Sequence, residues 1–97
     1  MRVIKLGTLK DFWRSNKDSE QPLKSWYQEA KHATWGNPNE IKTRYPKASI
    51  LRYNRVVFDI AHNKYRLIVR INYDYKIIYI RFIGTHSEYD KINAEEI

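Results

Sequence analysis

Between residues 55 and 83 the chain alternates apolar side chains with polar or charged ones, and two short polar connections interrupt this pattern. Successive side chains of a β-strand point to opposite faces, so a period of two predicts three strands in this region. The connection at residues 61–63 is predicted to be a hairpin turn, and residues 73–75 another turn. The alternation therefore indicates an antiparallel sheet.

Each predicted strand sorts its side chains between two faces. The more apolar face is expected to carry Val56, Phe58, Ile60, Tyr65, Leu67, Val69, Ile71, Ile78, Ile80 and Phe82. The opposite face then includes Val57, Lys64, Ile68, Ile77 and Ile83. If helices cover the first face, the second gathers Arg55, Asp59, Arg66, Arg70, Tyr79 and Arg81. Guanidinium groups in a row indicate an anionic ligand, which we interpret as RNA.

The N-terminal half has the pattern of helices. Residues 8–11 fit a capping box that opens a short helix through Phe12 and Trp13. A second helix is predicted to open at residues 18–22, with an apolar stripe at helical spacing. That stripe consists of Leu23, Trp26, Tyr27 and Ala30, and we assign it to the core.

The remaining segments complete the predicted fold class. Residues 35–39 are expected to break the second helix and to begin an irregular segment through Pro46. Residues 2–6 are expected to form a first strand at a sheet edge. The prediction is one α+β domain over residues 1–97, with N-terminal helices packed on a small, mainly antiparallel sheet.

Charge is concentrated in the C-terminal half. Eleven Lys or Arg and only four Asp or Glu lie between residues 42 and 91, so this segment carries the formal net charge of +7. The asymmetry favours a polyanionic or an acidic protein partner, and a solubilising surface is the alternative. With no Cys, no apolar run long enough to span a membrane and no signal peptide pattern, we expect a cytoplasmic protein.

The segment that follows the last predicted strand is the candidate for chemistry. Thr85 and Glu88 have the spacing of a capping box, which would place His86 in a first helical turn. Free backbone N–H groups there favour phosphate, and the helix dipole favours a neutral imidazole that can act as a base. The alternative is that His86 is a surface residue. The spacing of the three histidines offers no metal site and the three glycines no phosphate loop, so we expect no metal and no cofactor.

Three segments of the sequence, 55–60, 63–67 and 81–92, resemble the HigB-type toxins of the RelE superfamily, as do Trp26-Tyr27, Trp35 and Asn37-Pro38. The resemblance implies the RelE-like fold and the toxin of a type II toxin–antitoxin pair, which cuts mRNA during translation on the ribosome. It also implies a cognate HigA-like helix-turn-helix antitoxin, with operator DNA contacted only through that antitoxin.

The resemblance also implies roles for residues. Arg66 matches the strand arginine that binds the scissile phosphate, while His86 and Tyr89 fall where relatives carry an acid or base and a nucleotide-orienting residue. Val57 and Asp59 occupy the stretch where one branch carries a lysine pair, which leaves the general base open.

The expected reaction is attack of the RNA 2′-OH on the adjacent phosphate. Arg66 and Arg81 would stabilise the phosphorane, His86 would transfer a proton, and Tyr89 would stack on a base. The expected RNA-binding residues are Arg55, Lys64, Arg70 and Tyr79. Two alternatives stay open: a basic RNA- or ribosome-binding domain without catalysis, and a basic face that serves mainly to receive an acidic antitoxin segment.

Overall fold

The computed structural model describes residues 1–97 and contains four α-helices and five strands. In chain order they are β1 Arg2–Ile4, α1 Leu6–Ser15, α2 Glu20–His32, α3 Pro38–Arg44, β2 Ser49–Ile50, β3 Arg55–Ile60, β4 Tyr65–Asn72, β5 Ile77–Thr85 and α4 His86–Tyr89. A short 3-10 turn, Lys17–Ser19, joins α1 to α2. The predicted α+β class and the three main strands are confirmed.

The five strands form one mixed sheet in the order β1-β5-β4-β3-β2. β3, β4 and β5 pair antiparallel through two tight turns, and the short β2 extends the sheet beside β3. β1 lies at the opposite edge, as predicted, and pairs parallel to β5. The sheet is therefore mainly antiparallel.

α1 and α2 cover one face of the sheet and create the main core. Leu9 of α1 and the α2 residues Leu23, Trp26 and Ala30 are buried against alternate residues of β3, β4 and β5. Tyr27 is partly buried against the same cluster. This burial confirms the predicted apolar stripe, because the residues at i, i+3 and i+7 spacing face the sheet.

Two predictions about the helices are wrong. α1 begins at Leu6 after Lys5, which has φ of 71°, so Thr8 lies inside the helix and does not cap it. The segment expected to be irregular contains α3, whose N-cap Asn37 accepts a 3.1 Å hydrogen bond from the Glu40 N–H. Asn at the N-cap and Pro at the first helical position are also helix-start signals, and here they act as such.

A β-bulge changes the predicted faces of β5. Ile68 pairs with Phe82 while Val69 pairs with Ile80, so Arg81 is the extra residue. The extra residue shifts the alternation by one position. As a result Ile83 joins the main core, and Phe82 packs in a second cluster on the opposite face. The prediction is wrong for these two residues.

The face of the sheet opposite the helices, here called the open face, is organised in three rows across β3, β4 and β5. The first row is Asp59, Arg66 and Gly84; the second is Val57, Ile68 and Phe82; the third is Arg55, Arg70 and Tyr79. The second row packs against the C-terminal segment, in which Ala94 is buried and Ile92 and Ile97 are partly buried. An apolar, covered strip therefore separates two charged regions.

Candidate active site

The first row of the open face holds the Arg66 guanidinium. Its Nη1 group donates to a carboxylate oxygen of Asp59 and to the side-chain oxygen of Asn63. Only 20% of the Arg66 side chain and 25% of the Asp59 side chain are exposed. Arg66 is therefore held in one orientation with its remaining N–H groups available, since a guanidinium has five donors.

Gly84, next to Arg66 in the sheet, leaves space for the ring of Phe82. The two residues are register partners on β4 and β5, and a Cβ atom on Gly84 would lie 2.5 Å from Cζ of Phe82. The phenyl ring thus lies over the glycine, and any larger residue at position 84 would clash with this ring. Glycine at this point lets the second row pack tightly next to the arginine.

Helix α4 places two more of the predicted catalytic residues, His86 and Tyr89, at this end of the sheet. Its capping box is confirmed: Glu88 N–H donates to Thr85 Oγ1 at 3.2 Å, and Thr85 N–H donates to Glu88 Oε1 at 2.9 Å. The pKa of the Glu88 carboxyl is lowered, mainly because its carboxylate accepts the hydrogen bond from the Thr85 N–H. The Tyr89 ring centroid lies 5.8 Å from Cζ of Arg66.

The orientation of His86 depends on the β3–β4 turn. Its Nε2 atom contacts the main-chain oxygen of Asn63 and lies 3.2 Å from the Asn63 side-chain oxygen. Because a carbonyl oxygen only accepts, we assign the proton to Nε2, which leaves Nδ1 as the acceptor of the neutral ring. Asn63 thus connects His86 to Arg66.

Asn63 was not predicted from the sequence. Ala61, His62 and Asn63 have φ of 55°, 54° and 76°, so three consecutive residues without glycine adopt the left-handed conformation. Asparagine adopts it more readily than most residues, and its position just before the Lys-Tyr-Arg segment was the available signal. We call Asp59, Asn63, Arg66, His86 and Tyr89 the active-site cluster.

A second group of arginines lies at the other end of the open face. Arg55, Arg70 and Arg81 line a cavity of about 480 Å³, here called the arginine pocket. Arg66 and Arg70 are four residues apart on one strand, so their Cα atoms are separated by about 13 Å. The structure thus groups Arg81 with Arg55 and Arg70 and away from Arg66.

The arginine pocket has an excess of positive charge. Burial, followed by the charges of Arg70 and Arg81, lowers the pKa of Arg55. Arg55 Nη2 donates to the main-chain oxygen of Ile97 at 2.7 Å, and Arg70 lies 5.9 Å from the Tyr79 ring centroid. Guanidinium groups that repel each other around one cavity favour an anion.

Lys64 lies away from the open face. Its ammonium is paired with Asp18 of the 3-10 turn, and the Tyr65 hydroxyl donates to the same carboxylate at 2.6 Å. These hydrogen bonds raise the pKa of Lys64 and lower that of Asp18. Lys64 thus links the β3–β4 hairpin to the helical layer.

Two further properties of the chain bear on its class. No three His, Asp or Glu side chains come close enough together to hold a metal ion. None of the helices has the length and apolar character needed to cross a bilayer. The site consists of arginines, one imidazole and their neutral or acidic partners.

Helices on one face of a small mixed sheet, with arginines on the other face and a short capped helix after the last strand, give the architecture of RelE-like proteins. The chain belongs to the HigB toxin family, since residues 19–92 match this family, described as the RelE-like toxic component of a toxin–antitoxin system. Membership implies an antitoxin partner.

A curated relative covers nearly the whole chain. It is the mRNA interferase HigB of Escherichia coli O6:H1, which is 28% identical over 94 residues, or 95% of this chain and 91% of the relative.

Proposed function

We propose that this protein is a cytoplasmic, ribosome-dependent mRNA endoribonuclease that stops translation until a HigA-like helix-turn-helix antitoxin neutralises it. The observation that carries the proposal is the active-site cluster, in which Asn63 joins the Arg66 guanidinium to an imidazole of defined orientation. The name of the bacterial relative, an mRNA interferase, supports the same activity. Operator DNA is contacted only through the antitoxin.

The proposed reaction needs no metal and no external nucleophile. The RNA 2′-OH attacks the adjacent phosphorus in line, a P–O bond forms, and the bond to the 5′ oxygen breaks. His86 accepts the 2′-OH proton at Nδ1, and the leaving 5′ oxygen takes a proton from solvent. The products are a 2′,3′-cyclic phosphate and a 5′-OH end.

Arg66 and Tyr89 have the supporting roles in this mechanism. Unused N–H groups of Arg66 donate to the non-bridging oxygens, whose negative charge grows in the phosphorane. Tyr89, next to that guanidinium, stacks on or orients the nucleotide. Both residues touch the reacting nucleotide, and Asp59 and Asn63 hold Arg66 in position.

RNA backbone outside the scissile bond binds in the arginine pocket. Arg55, Arg70 and Arg81 contact phosphates there, with Tyr79 beside Arg70. This assignment moves Arg81 from phosphorane stabilisation to phosphate binding, because it is grouped with Arg70. We leave Lys64 out of the RNA contacts, because its ammonium is paired with Asp18.

Primer extension on a reporter mRNA in a reconstituted translation reaction tests the proposal. The reaction is run with wild type, Arg66→Ala, His86→Ala and a control, Arg14→Ala, which removes an exposed arginine of α1. We expect new 5′ ends only with ribosomes, and a loss of about 10²–10³-fold for Arg66→Ala. A twofold loss would count against Arg66.

A second candidate function is RNA or ribosome binding without cleavage. The separation of the arginine pocket from the active-site cluster favours it, because that pocket can bind phosphate with no chemistry. Inhibited translation with an uncut message would support this function instead.

A further inference from the structure

A second cavity, of about 420 Å³, opens beside the active-site cluster. It lies between the α3–β2 connection and the β3–β4 hairpin, and we call it the hairpin cavity. Asp59 and Asn63 line it, and these are the two residues that hold Arg66. Whatever occupies the hairpin cavity therefore lies one side chain away from the proposed scissile phosphate.

Contacts within the protein hold the α3–β2 side of the hairpin cavity in place. The Lys42 ammonium donates to the main-chain oxygens of Pro46 at 2.6 Å and Ala48 at 2.8 Å, which holds the connecting loop in place. Tyr45 packs edge-on against Phe58 with ring centroids 5.1 Å apart. None of these side chains takes part in the proposed reaction, so the reaction does not explain the cavity.

Asp59 and Asn63 give the hairpin cavity a polar wall. The contacts of Asp59 and Asn63 with Arg66 use one oxygen of each, so the second Asp59 oxygen and the Asn63 amide nitrogen have no hydrogen-bond partner. One wall thus offers an acceptor and a donor, while Tyr45, Pro46 and Phe58 supply apolar surface.

We propose that the hairpin cavity binds the nucleobase of a nucleotide adjacent to the scissile phosphate and determines a base preference of cleavage. A planar group with apolar faces and a polar edge, attached to an anionic backbone, is the ligand that matches this wall and a rim of Lys47 and His62. This inference rests on the proposed endoribonuclease activity.

The geometry also defines the form of the preference. Adenine and cytosine present an exocyclic amine donor and then a ring acceptor on the Watson–Crick edge, whereas guanine and uracil present a carbonyl acceptor and then a ring N–H. The order of donor and acceptor along the edge is thus reversed between the two classes. An acceptor and a donor held in a fixed order by the protein therefore distinguish them. A well-matched pair of contacts gives at least about tenfold discrimination.

Sequencing of the 5′ ends produced from a randomised mRNA library in the translation reaction tests this inference. For wild type, one position next to the cut is expected to favour one base class about tenfold over the other. Asp59→Asn replaces the fixed acceptor with an amide, and the ratio between classes should fall to about threefold or less. The ratio is taken within each variant, so a change in overall rate does not affect it.

A rim variant and a matched control complete the experiment. His62→Asn with Lys47→Ala alters only the rim, keeps a residue suited to the left-handed turn, and should also weaken the ratio. The control His32→Asn changes an exposed histidine at the end of α2 and should leave the ratio as in wild type. Circular dichroism verifies that each variant folds.

The outcomes separate this inference from the proposed function. If wild type cuts but shows no class preference, or if Asp59→Asn and the rim variant leave the ratio unchanged, the hairpin cavity does not bind the base while the nuclease activity stands. If wild type fails to cut with ribosomes present, the endoribonuclease proposal is wrong and this inference falls with it.

Discussion

At the scale of single residues, Asn63 links the two groups on which the proposed chemistry depends. Its main-chain oxygen contacts His86, and its side-chain oxygen contacts both His86 and Arg66. The main-chain contact needs the left-handed turn, whereas the contact with Arg66 needs the side chain. Substitutions at this position can therefore separate the turn from the amide.

Asn63→Gly should lower the cleavage rate about tenfold while stability changes by less than about 0.5 kcal/mol, because glycine keeps the turn and removes the Arg66 partner. Asn63→Ala should lower the cleavage rate by the same factor and also lower the free energy of unfolding by about 1 kcal/mol, because alanine tolerates positive φ less well than asparagine does. Single-turnover cleavage and urea unfolding measure the two quantities.

The control for this comparison is Ala61→Gly. It changes another left-handed residue of the same turn that has no polar side-chain atom, and cleavage should remain within about twofold of wild type. Equal rate losses in Ala61→Gly and Asn63→Gly would mean that the turn, and not the amide, supports the site.

Where the signal in the sequence was local, the structure agrees with the expected placement of residues, and their catalytic roles stay predictions. Arg66, His86 and Tyr89 were predicted from alternation, a capping box and family resemblance, and the structure brings them together. Lys64 was expected beside them, but it is paired with Asp18, which is 46 residues away in the chain. Local periodicity carries no information about such a tertiary contact.

At the scale of elements, the four-residue helix α4 carries two residues of the active-site cluster and depends on its cap. Thr85→Ala should destabilise the protein by about 1 kcal/mol, the usual loss for an N-cap hydroxyl. Cleavage should fall about tenfold because His86 and Tyr89 lose their fixed positions, and Thr85→Ser should restore both properties. Urea unfolding and primer extension are the measurements.

Thr43 provides the matched control for the cap. Its hydroxyl donates to the Asn39 main-chain oxygen at 3.0 Å within the exposed face of α3, outside the site. Thr43→Ala should leave cleavage unchanged. A rate loss as large as that of Thr85→Ala would show that the assay reports general destabilisation.

The same capping box predicts a pH dependence. Hydrogen bonds from Thr85 lower the pKa of Glu88 below its ordinary value of 4.5. A lowered pKa in the folded state means that this stabilisation is present above the unfolded pKa and is lost as pH falls through the folded one. The stability difference between wild type and Glu88→Gln should therefore vanish in acid, as urea midpoints measured from about pH 7 to about pH 3 would reveal.

Glu96→Gln is the control for the pH series, since the Glu96 side chain accepts no hydrogen bond. Its stability difference from wild type should stay small throughout. If Glu88→Gln differs from wild type equally at all pH values, the ionised carboxylate does not support the cap.

The elements that were predicted correctly are those with a long, regular pattern. β3, β4 and the first half of β5 follow from strict alternation, and α2 follows from its apolar stripe. The bulge at Arg81 was not predicted, because an extra residue in a ladder depends on cross-strand pairing and leaves the alternation of one strand ambiguous. α3 was missed because Asn37 and Pro38 mark both turns and helix starts.

At the scale of the whole molecule, the net charge of +7 does not form one continuous basic face. The apolar row of Val57, Ile68 and Phe82, with the C-terminal segment packed on it, separates the active-site cluster from the arginine pocket. The sequence predicted that arginines share a face, but their division into two regions depends on where residues 92–97 fold back. An RNA strand that reaches both regions must cross or skirt this covered strip.

This arrangement predicts that RNA affinity depends more on where a positive charge lies than on the net charge of the protein. Each phosphate contact to a single strand contributes about 0.7 to the slope of log affinity against log salt. Replacing Arg70 and Arg81 with Gln should therefore lower that slope by about 1.4, as fluorescence anisotropy with a short single-stranded RNA would measure. Replacing Lys10 and Lys17 with Gln removes the same net charge from the helical side and should leave the slope nearly unchanged. Equal decreases in the two double variants would mean that RNA senses only the overall charge, and the arginine pocket would lose its assigned role.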